Sequence, residues 1–295
     1  MLRKDIHMPK VAVVTDSNSG ILQREADNTG VYLVPMPFMI DGNTYYEGIS
    51  LSQDEFYNKL NSGADISTSQ PSPDTVTEVW DRALGSYEQI VYIPMSSGLS
   101  GSCQSAKMLA EDYGGRVEVI NNQRISVTQR QSVLDALQLA QRGRDASQIR
   151  ETLEKNKYES SIYIMLDTLY FLKKGGRITP AAAALGTLLR IKPVLTIQGE
   201  KLDAFAKART VNHGKTIMKN AMKADMEGRL GGCKPGNIHL EASYTFDHEE
   251  AEKWKKEIED FFPGFDVHMD PLSLSVACHI GPGALAIACS RRIKG

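Results

Sequence analysis

The sequence predicts an α/β fold of two domains, with an N-terminal doubly wound, mostly parallel sheet and a C-terminal α/β domain that contains a mixed sheet. The first basis for this prediction is that short β-branched runs alternate with helical segments through the first half of the chain. The second is "PVLTIQGEKLDAFAKA" (residues 193–208), whose apolar runs flank Gly199 and Glu200 and predict an antiparallel hairpin. We therefore expect domains at residues 1–160 and 161–295, with a ligand site between them.

The first half predicts strands and helices in alternation. "VAVVTD" (residues 11–16) predicts a strand that ends in the turn "SNSG", and a second apolar run covers residues 31–40. "SQDEFYNKLNSG" predicts a helix that Gly63 ends, and a further helix follows the turn "TSQPSP". The strand "QIVYIPM", a helix through Glu111, the strand "RVEVIN" and helices at about 128–142 and 146–158 complete this half.

The second half begins near "SSIYIMLDTLYFLKKGGRIT" and continues with the predicted hairpin. A helix over residues 211–226, the apolar run "NIHLEASYTF", the amphipathic helix "HEEAEKWKKEIEDFF" and the glycine-rich end "HIGPGALAIACSRR" follow. In doubly wound sheets, ligands bind beyond the carboxyl ends of the strands. The turns "TDSNSG" and "PMSSGLSG" of the first half both occupy that position.

Composition excludes several classes of protein. The chain has 295 residues, of which 41% are hydrophobic and 24% charged, as is usual for a globular protein. The net charge is −2, and no dense Lys/Arg cluster indicates nucleic acid. The longest apolar stretches fall short of the ~20 residues of a membrane span, and no signal peptide is evident, so we expect a cytoplasmic protein. The four cysteines lack zinc-type spacing, which favours free thiols in a reducing compartment.

The stretch "IPMSSGLSGS" (residues 93–102) is the most informative local feature. A predicted buried strand ends in four hydroxyls and two glycines immediately before a predicted helix. Hydroxyls, backbone N–H groups and a helix N-terminus can together hold a small anion. One serine would be enough to cap the helix. An anion site and a plain helix cap are therefore both open.

The common nucleotide and hydrolase motifs do not fit. In "GLSGS", Gly101 follows Ser100 one residue too early for the hydrolase pattern G-x-S-x-G. No Walker-type lysine follows these glycines. "GPGALA" (residues 281–286) matches G-x-G-x-x-A, but the chain ends before the acidic partner expected ~20 residues later. No H-E-x-x-H occurs, so neither a cofactor nor a metal is expected.

Four unusual stretches together resemble the DegV family: "STSQPSP" (residues 67–73), "PMSSGLSGS" (94–102), "FLKKGGRIT" (171–179) and "HIGPGALA" (279–286). "VVTDSNSGI" and "LLRIKPVLTIQGEKL" are similar to it as well, so that the resemblance covers nearly the whole chain. It implies two α/β domains with a long-chain fatty acid buried between them. Some members are the fatty-acid-binding (FakB) subunits of bacterial fatty acid kinase, which present the bound acid to a separate ATP-using subunit. The resemblance thus implies a lipid-binding protein that is not itself an enzyme and does not span a membrane, although transient contact with a membrane is possible.

The resemblance also assigns roles to individual residues. It implies that Thr68 and Ser97 contact the fatty acid carboxylate, with Ser69 and Ser96 beside them and His279 as a further contact. Arg177 would lie at the mouth of the cleft and meet a phosphoryl group or the partner subunit. Apolar residues that could form the acyl tunnel, or equally an ordinary core, are Ile162, Ile164, Leu166, Leu185, Leu188 and Leu189.

Two other functions remain open at this point. One is a hydrolase that uses Ser97 or Cys103 as nucleophile with His279, although no acidic partner is evident. The other is a protein that binds a small anion or sugar phosphate at the same turn without an apolar tunnel. Each stretch also has a purely structural interpretation: "TSQPSP" as a capping turn, "KKGGR" as a helix C-terminus and His279 as a packing residue.

Overall fold

The computed structural model describes residues 10–185 and 191–293. The strands in this part of the chain are β1 (Val11–Asp16), β2 (Tyr32–Val34), β3 (Pro37–Ile40), β4 (Asn43–Tyr46), β5 (Ile66–Thr68), β6 (Gln89–Ile93), β7 (Val117–Val119), β8 (Ser160–Met165), β9 (Lys192–Ile197), β10 (Leu202–Ala208), β11 (Ile238–Tyr244), β12 (His268–Pro271) and β13 (Leu285–Arg291). The helices are α1 (Gln23–Thr29), α2 (Gln53–Asn61), α3 (Pro73–Leu84), α4 (Ser102–Ala110), α5 (Ser126–Gln141), α6 (Ala146–Lys155), α7 (Tyr170–Lys174), α8 (Pro180–Leu185), α9 (Val211–Gly228), α10 (His248–Phe261) and α11 (Leu274–Ile280).

The first sheet is parallel, with the strand order β2-β1-β6-β7. Every residue of β1 is buried, because helices cover both faces of the sheet. Val11 and Val13 pack in the cluster that includes residues of α5 and α6, whereas Ala12 and Val14 pack with residues of α3 and α4. The predicted doubly wound parallel sheet is confirmed.

The apolar run 31–40 is divided between two sheets. β2 belongs to the parallel sheet, while β3 is the centre of a small antiparallel sheet with the order β4-β3-β5. Pro35 and Pro37 have no backbone N–H to donate to a ladder, so the chain leaves the first sheet here. The small sheet packs against α2 and α11, and thereby places Thr68, at the end of β5, beside α11.

The second large sheet is mixed, with the order β10-β9-β8-β13-β11-β12. Its pairs are antiparallel except for β11 and β12, which confirms the predicted mixed sheet. β9 and β10 form the hairpin expected around Gly199, with Ile197 opposite Leu202. Helices α9 and α10 cover one face, where Trp254 Nε1 donates to the Ala286 carbonyl at 3.0 Å. The other face turns toward the first half of the chain and forms the floor of the site described below.

The two large sheets draw their strands from different parts of the chain. The strands of the parallel sheet end at Val119, and those of the mixed sheet begin at Ser160. Helices α5 and α6 lie between them in sequence. The domain boundary at residues 160/161 stays a prediction.

Most predicted helices are present with small shifts at their ends. α5 covers Ser126–Gln141 rather than 128–142, and α6 ends at Lys155 rather than 158. The sequence pattern does not predict α11, which has seven residues and no side-chain cap. Among the described helices, none is long and apolar enough to cross a membrane.

Glu241 is a buried acid on the mixed sheet. It lies on β11, is 3% exposed, and its Oε2 accepts a hydrogen bond from Ser290 Oγ at 3.2 Å. Burial raises the pKa of Glu241 from 4.5 to about 8, although the positive charge of Arg124 opposes this change. The folded protein therefore holds a proton on Glu241 over a pH range in which the unfolded chain has lost it.

We expect the free energy of unfolding to fall as the pH rises from about 5 to about 8, by up to ~1.4 kcal/mol per pH unit from this residue alone, because the folded state binds the extra proton. Glu241→Gln should remove this slope, since the amide does not titrate. Urea unfolding across this pH range measures it, with the exposed Glu78→Gln as control. Parallel pH profiles for the parent and Glu241→Gln would contradict the assignment.

Candidate functional site

A cleft lies between the mixed sheet and the ends of elements from the first half of the chain. Side chains on β8, on the β9–β10 hairpin, on α11 and beyond the ends of β1, β5 and β6 line it. The space between its wall atoms amounts to about 870 Å³, part of which is open to solvent, and little of it is wide enough for the centre of a water molecule. The cleft is therefore a narrow channel, suited to something thin.

The floor of the cleft is apolar and runs across the strands. Ile162 and Ile164 of β8 both line it, because alternate side chains of a strand lie on the same face of the sheet. Ile162 pairs with Ile197 of β9, which pairs with Leu202 of β10. On the other side, Ile164 pairs with Ala286 of β13. Apolar side chains from neighbouring strands therefore form one continuous surface.

The remaining tunnel candidates differ in position. Leu166 is fully buried in the same apolar cluster but does not line the cleft. Leu188 and Leu189 lie outside the described residues, as does the side chain of Leu185. Only Ile162 and Ile164 of the predicted set are therefore seen at the wall.

Thr68 and His279 meet in the wall of the cleft, although 211 positions separate them. Thr68 Oγ1 lies 2.8 Å from His279 Nε2, and Ser69 lines the cleft beside them. Burial, and to a lesser extent the positive charge of Arg177, lower the pKa of His279 from 6.5 to about 4. The imidazole is therefore neutral near pH 7, and the pair brings a hydroxyl and an imidazole to the wall without a formal charge.

The position of His279 depends on a glycine. A Cβ atom on Gly175, after α7, would collide with Nδ1 of the imidazole. Among the described residues, this buried Nδ1 has no hydrogen-bond partner. The glycines of "KKGG" suggest a close backbone approach. The structure shows that this approach is to the ring of His279.

Arg177 follows in the same segment and also lines the cleft. Its side chain is exposed, and Nη1 donates to the Gly175 carbonyl at 2.7 Å. A shallower pocket, which we call the outer pocket, shares Leu99, Arg177 and Leu202 with the cleft. Lys201 adds a second basic side chain to the outer pocket.

The hydroxyls of the turn after β6 face different directions. Ser96 Oγ donates to the Glu200 carbonyl at 2.8 Å, and Ser97 Oγ donates to Glu200 Oε1 at 3.0 Å. Neither residue lines the cleft, in contrast to the expected carboxylate contacts. Ser100, three residues later, does line it. The sequence pattern identified the turn, but it could not distinguish among hydroxyls whose directions depend on the β9–β10 hairpin.

The sequence analysis also missed the role of Asn18, which lines the cleft beyond β1. Asn18 Oδ1 accepts hydrogen bonds from Ser273 and Ser275, before and within α11. Its neighbour Asp16 accepts from the backbone N–H of Met95 at 2.8 Å, and burial raises the pKa of Asp16 to about 6. The position of "TDSNSG" at a strand end was the available signal.

The geometry does not assemble a nucleophile with His279. Ser97 Oγ accepts from Asn121 Nδ2 and donates to Glu200, whereas His279 Nε2 is engaged with Thr68. Cys103 lies in the core, and burial raises the pKa of its thiol to about 11. Within residues 10–185 and 191–293, no group of three or more His, Cys, Asp or Glu side chains is placed to hold a metal ion.

Comparisons with known proteins agree with one another. A family model described as "Uncharacterised protein, DegV family" matches residues 10–292. A DegV domain-containing protein of Deinococcus radiodurans is 35% identical over 280 residues, which cover 94% of this chain and 97% of that protein.

Two relatives of solved structure share the fold. A DegV family protein from Thermus thermophilus, described as fatty acid binding, is 30% identical with a TM-score of 0.87, covering 96% of this chain and 100% of that one. DegV of Bacillus subtilis, described as a fatty acid binding protein, is 26% identical with a TM-score of 0.84, covering 97% of this chain and 100% of that one.

We expect Gly175→Ala to displace the imidazole of His279 and to break its contact with Thr68, because the added Cβ occupies the position of the ring. The pKa of His279 should then rise from about 4 toward its ordinary 6.5 as the ring gains solvent. NMR titration of the histidine resonances measures this pKa. The control is Gly228→Ala, whose Cβ would have no neighbour within 4 Å. An unchanged His279 titration in Gly175→Ala would contradict the geometry.

Proposed function

The chain belongs to the DegV family, and from that premise we propose that it binds a long-chain fatty acid in the cleft between its two large sheets. The observation that carries the proposal is the combination of a narrow apolar channel with a neutral hydroxyl and imidazole pair in its wall. An apolar channel suits an alkyl tail, and the polar pair suits its carboxylate. The relatives described as fatty acid binding support the same assignment.

The carboxylate would lie against Thr68, Ser100 and His279, with Ser69 adjacent. With the imidazole proton on Nε2, His279 donates to Thr68 Oγ1, and the threonine hydroxyl is free to donate to the carboxylate. Hydrogen bonds to a charged acceptor are stronger than neutral ones, and they offset the cost of removing the carboxylate from water. Neutral donors achieve this without a buried lysine that would compete for a later phosphoryl group.

The tail would run across the strands over the apolar floor. From β10 to β13 the apolar floor crosses three strand spacings of ~4.8 Å, or ~14 Å. An extended sixteen-carbon chain spans ~18 Å if each bond advances ~1.2 Å, as in extended polypeptide. Its burial is worth roughly 11 kcal/mol before the ordering and association costs. The floor thus matches an acyl tail in chemistry and would cover most of its length.

The two alternative functions have less support. A hydrolase would need a nucleophile within reach of His279, and neither Ser97 nor Cys103 has that contact. A protein for small anions alone would leave the apolar floor without a ligand. The protein is therefore proposed to be a lipid carrier without catalytic activity of its own.

We expect the purified protein to carry a long-chain fatty acid at near one per chain, which solvent extraction and lipid mass spectrometry can measure. Thr68→Val removes the central hydroxyl while keeping the shape of the side chain, and should raise the fatty acid Kd by about tenfold or more through loss of a charge-assisted hydrogen bond.

The matched control is Thr216→Val, on the exposed face of α9, whose hydroxyl donates to the Asn212 carbonyl. Its Kd should equal that of the parent. Trace lipid together with no measurable binding of added palmitate or oleate would overturn the proposed function. If Thr68→Val binds the fatty acid as tightly as the parent, the carboxylate lies elsewhere in the cleft.

The proposal extends to a partner. The bound carboxylate would be phosphorylated by a separate ATP-using kinase subunit in the cytoplasm, and the carrier would then hold the acyl phosphate. Arg177 and Lys201 support this role, because both basic side chains line the outer pocket next to the cleft. A guanidinium can hold a phosphoryl group with two hydrogen bonds.

Arg177→Ala should therefore retain bound fatty acid but lose most acyl phosphate formation with a fatty acid kinase subunit and ATP. The exposed Arg82→Ala on α3 serves as the control. Lipid content, melting temperature and kinase-dependent turnover are measured on the same preparation. A lowered melting temperature with unchanged turnover would assign Arg177 a purely structural role.

A further inference from the structure

The turn after β6 contacts the turn of the β9–β10 hairpin, so that the two large sheets are joined at this point. Ser96 Oγ and Ser97 Oγ both donate to Glu200, the first to its carbonyl and the second to its carboxylate. Asn121 Nδ2 donates to Ser97 Oγ at 2.8 Å and orients that hydroxyl. We call this set of contacts the clasp.

Gly98 allows the clasp to close. A Cβ atom at this position would lie 2.5 Å from the carbonyl oxygen of Glu200. The φ angle of Gly98 is not positive, so its backbone conformation does not by itself require glycine. The glycine is therefore explained by the close approach of the two turns alone.

The clasp lies at one rim of the cleft. On the side of the β6 turn, Leu99 and Ser100 line the cleft directly after the clasp residues. On the side of the hairpin, Ile197 and Leu202 line it on either side of Glu200. Separation of the two turns would therefore open the channel to the outer pocket, which Leu99 and Leu202 also line.

The clasp contributes little to holding the fold. Glu200 is exposed, and the hairpin is already fixed by the ladder between β9 and β10. The β6 strand is fixed by the parallel sheet. The bond from Ser97 to the Glu200 carboxylate is exposed, and the bond from the buried Ser96 to the Glu200 carbonyl is part-buried. Contacts between two separately stabilised elements can open locally without unfolding.

From these contacts we propose that Glu200 is a positioning residue, which holds the β6 turn against the hairpin and thereby sets how fast a fatty acid enters and leaves the cleft. The inference rests on the proposed function. The clasp is closed without ligand, and the proposal has it close equally over a bound fatty acid, so that weakening it speeds uptake and release together. Ser97 then acts through Glu200 rather than on the carboxylate.

Stopped-flow exchange of a fluorescent fatty acid tests the proposal. Glu200→Ala and Ser97→Ala should each speed release and uptake by about three- to tenfold, as expected for loss of one hydrogen bond, with Kd changed less than about twofold. The double variant should add little to either single one, because both remove the same bond. Glu200→Gln keeps an acceptor oxygen and should restore the parent rates. Gly98→Ala should give the largest effect, with Gly236→Ala, which has open space at its Cβ, as control.

Each outcome decides the role of the clasp. Unchanged exchange rates in Glu200→Ala and Gly98→Ala, with fatty acid bound normally, would overturn it while leaving the proposed function intact. A raised Kd in Ser97→Ala with a neutral Glu200→Ala would also overturn it and make Ser97 a carboxylate contact. If the parent binds no fatty acid, the proposed function fails. Amide hydrogen exchange at residues 96–101 then decides about the clasp, since faster exchange in Glu200→Ala supports it and equal exchange overturns it.

Discussion

The apolar inner face of the mixed sheet imposes the main constraint on this molecule. Ile162, Ile164 and Ile197 must be covered, and apolar side chains of the covering elements, among them Met36, Met95 and Leu272, pack in the same cluster. Polar contacts add to this packing. Asn18 receives hydrogen bonds from Ser273 and Ser275 at one place, and Glu200 receives those of Ser96 and Ser97 at another. A narrow channel remains over the apolar floor.

The chemistry of the wall follows from burial. A buried charge is costly unless it is paired, and the polar groups that face the channel near Thr68 are neutral hydroxyls and an imidazole whose pKa burial holds at about 4. A wall of neutral polar groups can bind a carboxylate without a buried charge on the protein. The basic side chains of Arg177 and Lys201 lie farther out, where solvent reduces the cost of their charge.

Glycines serve the site by allowing close approach. Gly98 lets the Glu200 carbonyl come near the β6 turn, and Gly175 leaves room for the His279 ring. Gly281, after α11, combines a left-handed backbone (φ 77°) with a close contact to Phe171. Each of these contacts joins segments that are distant in sequence. The glycine-rich stretches are therefore places where parts of the cleft wall meet.

The sequence by itself determined the fold class, the β9–β10 hairpin, the family, and the segments that supply the cleft, because local patterning and short motifs encode these features. It could not determine which hydroxyls of "MSSGLSGS" face the cleft, since Ser97 and Ser100 are chemically alike and only the hairpin that carries Glu200 separates them. It also missed α11, which has too few residues and no capping side chain to mark it, and which is held by packing against the small sheet. The contact between Thr68 and His279 likewise depends on that packing, because residues 211 positions apart meet only when the tertiary structure brings their elements together.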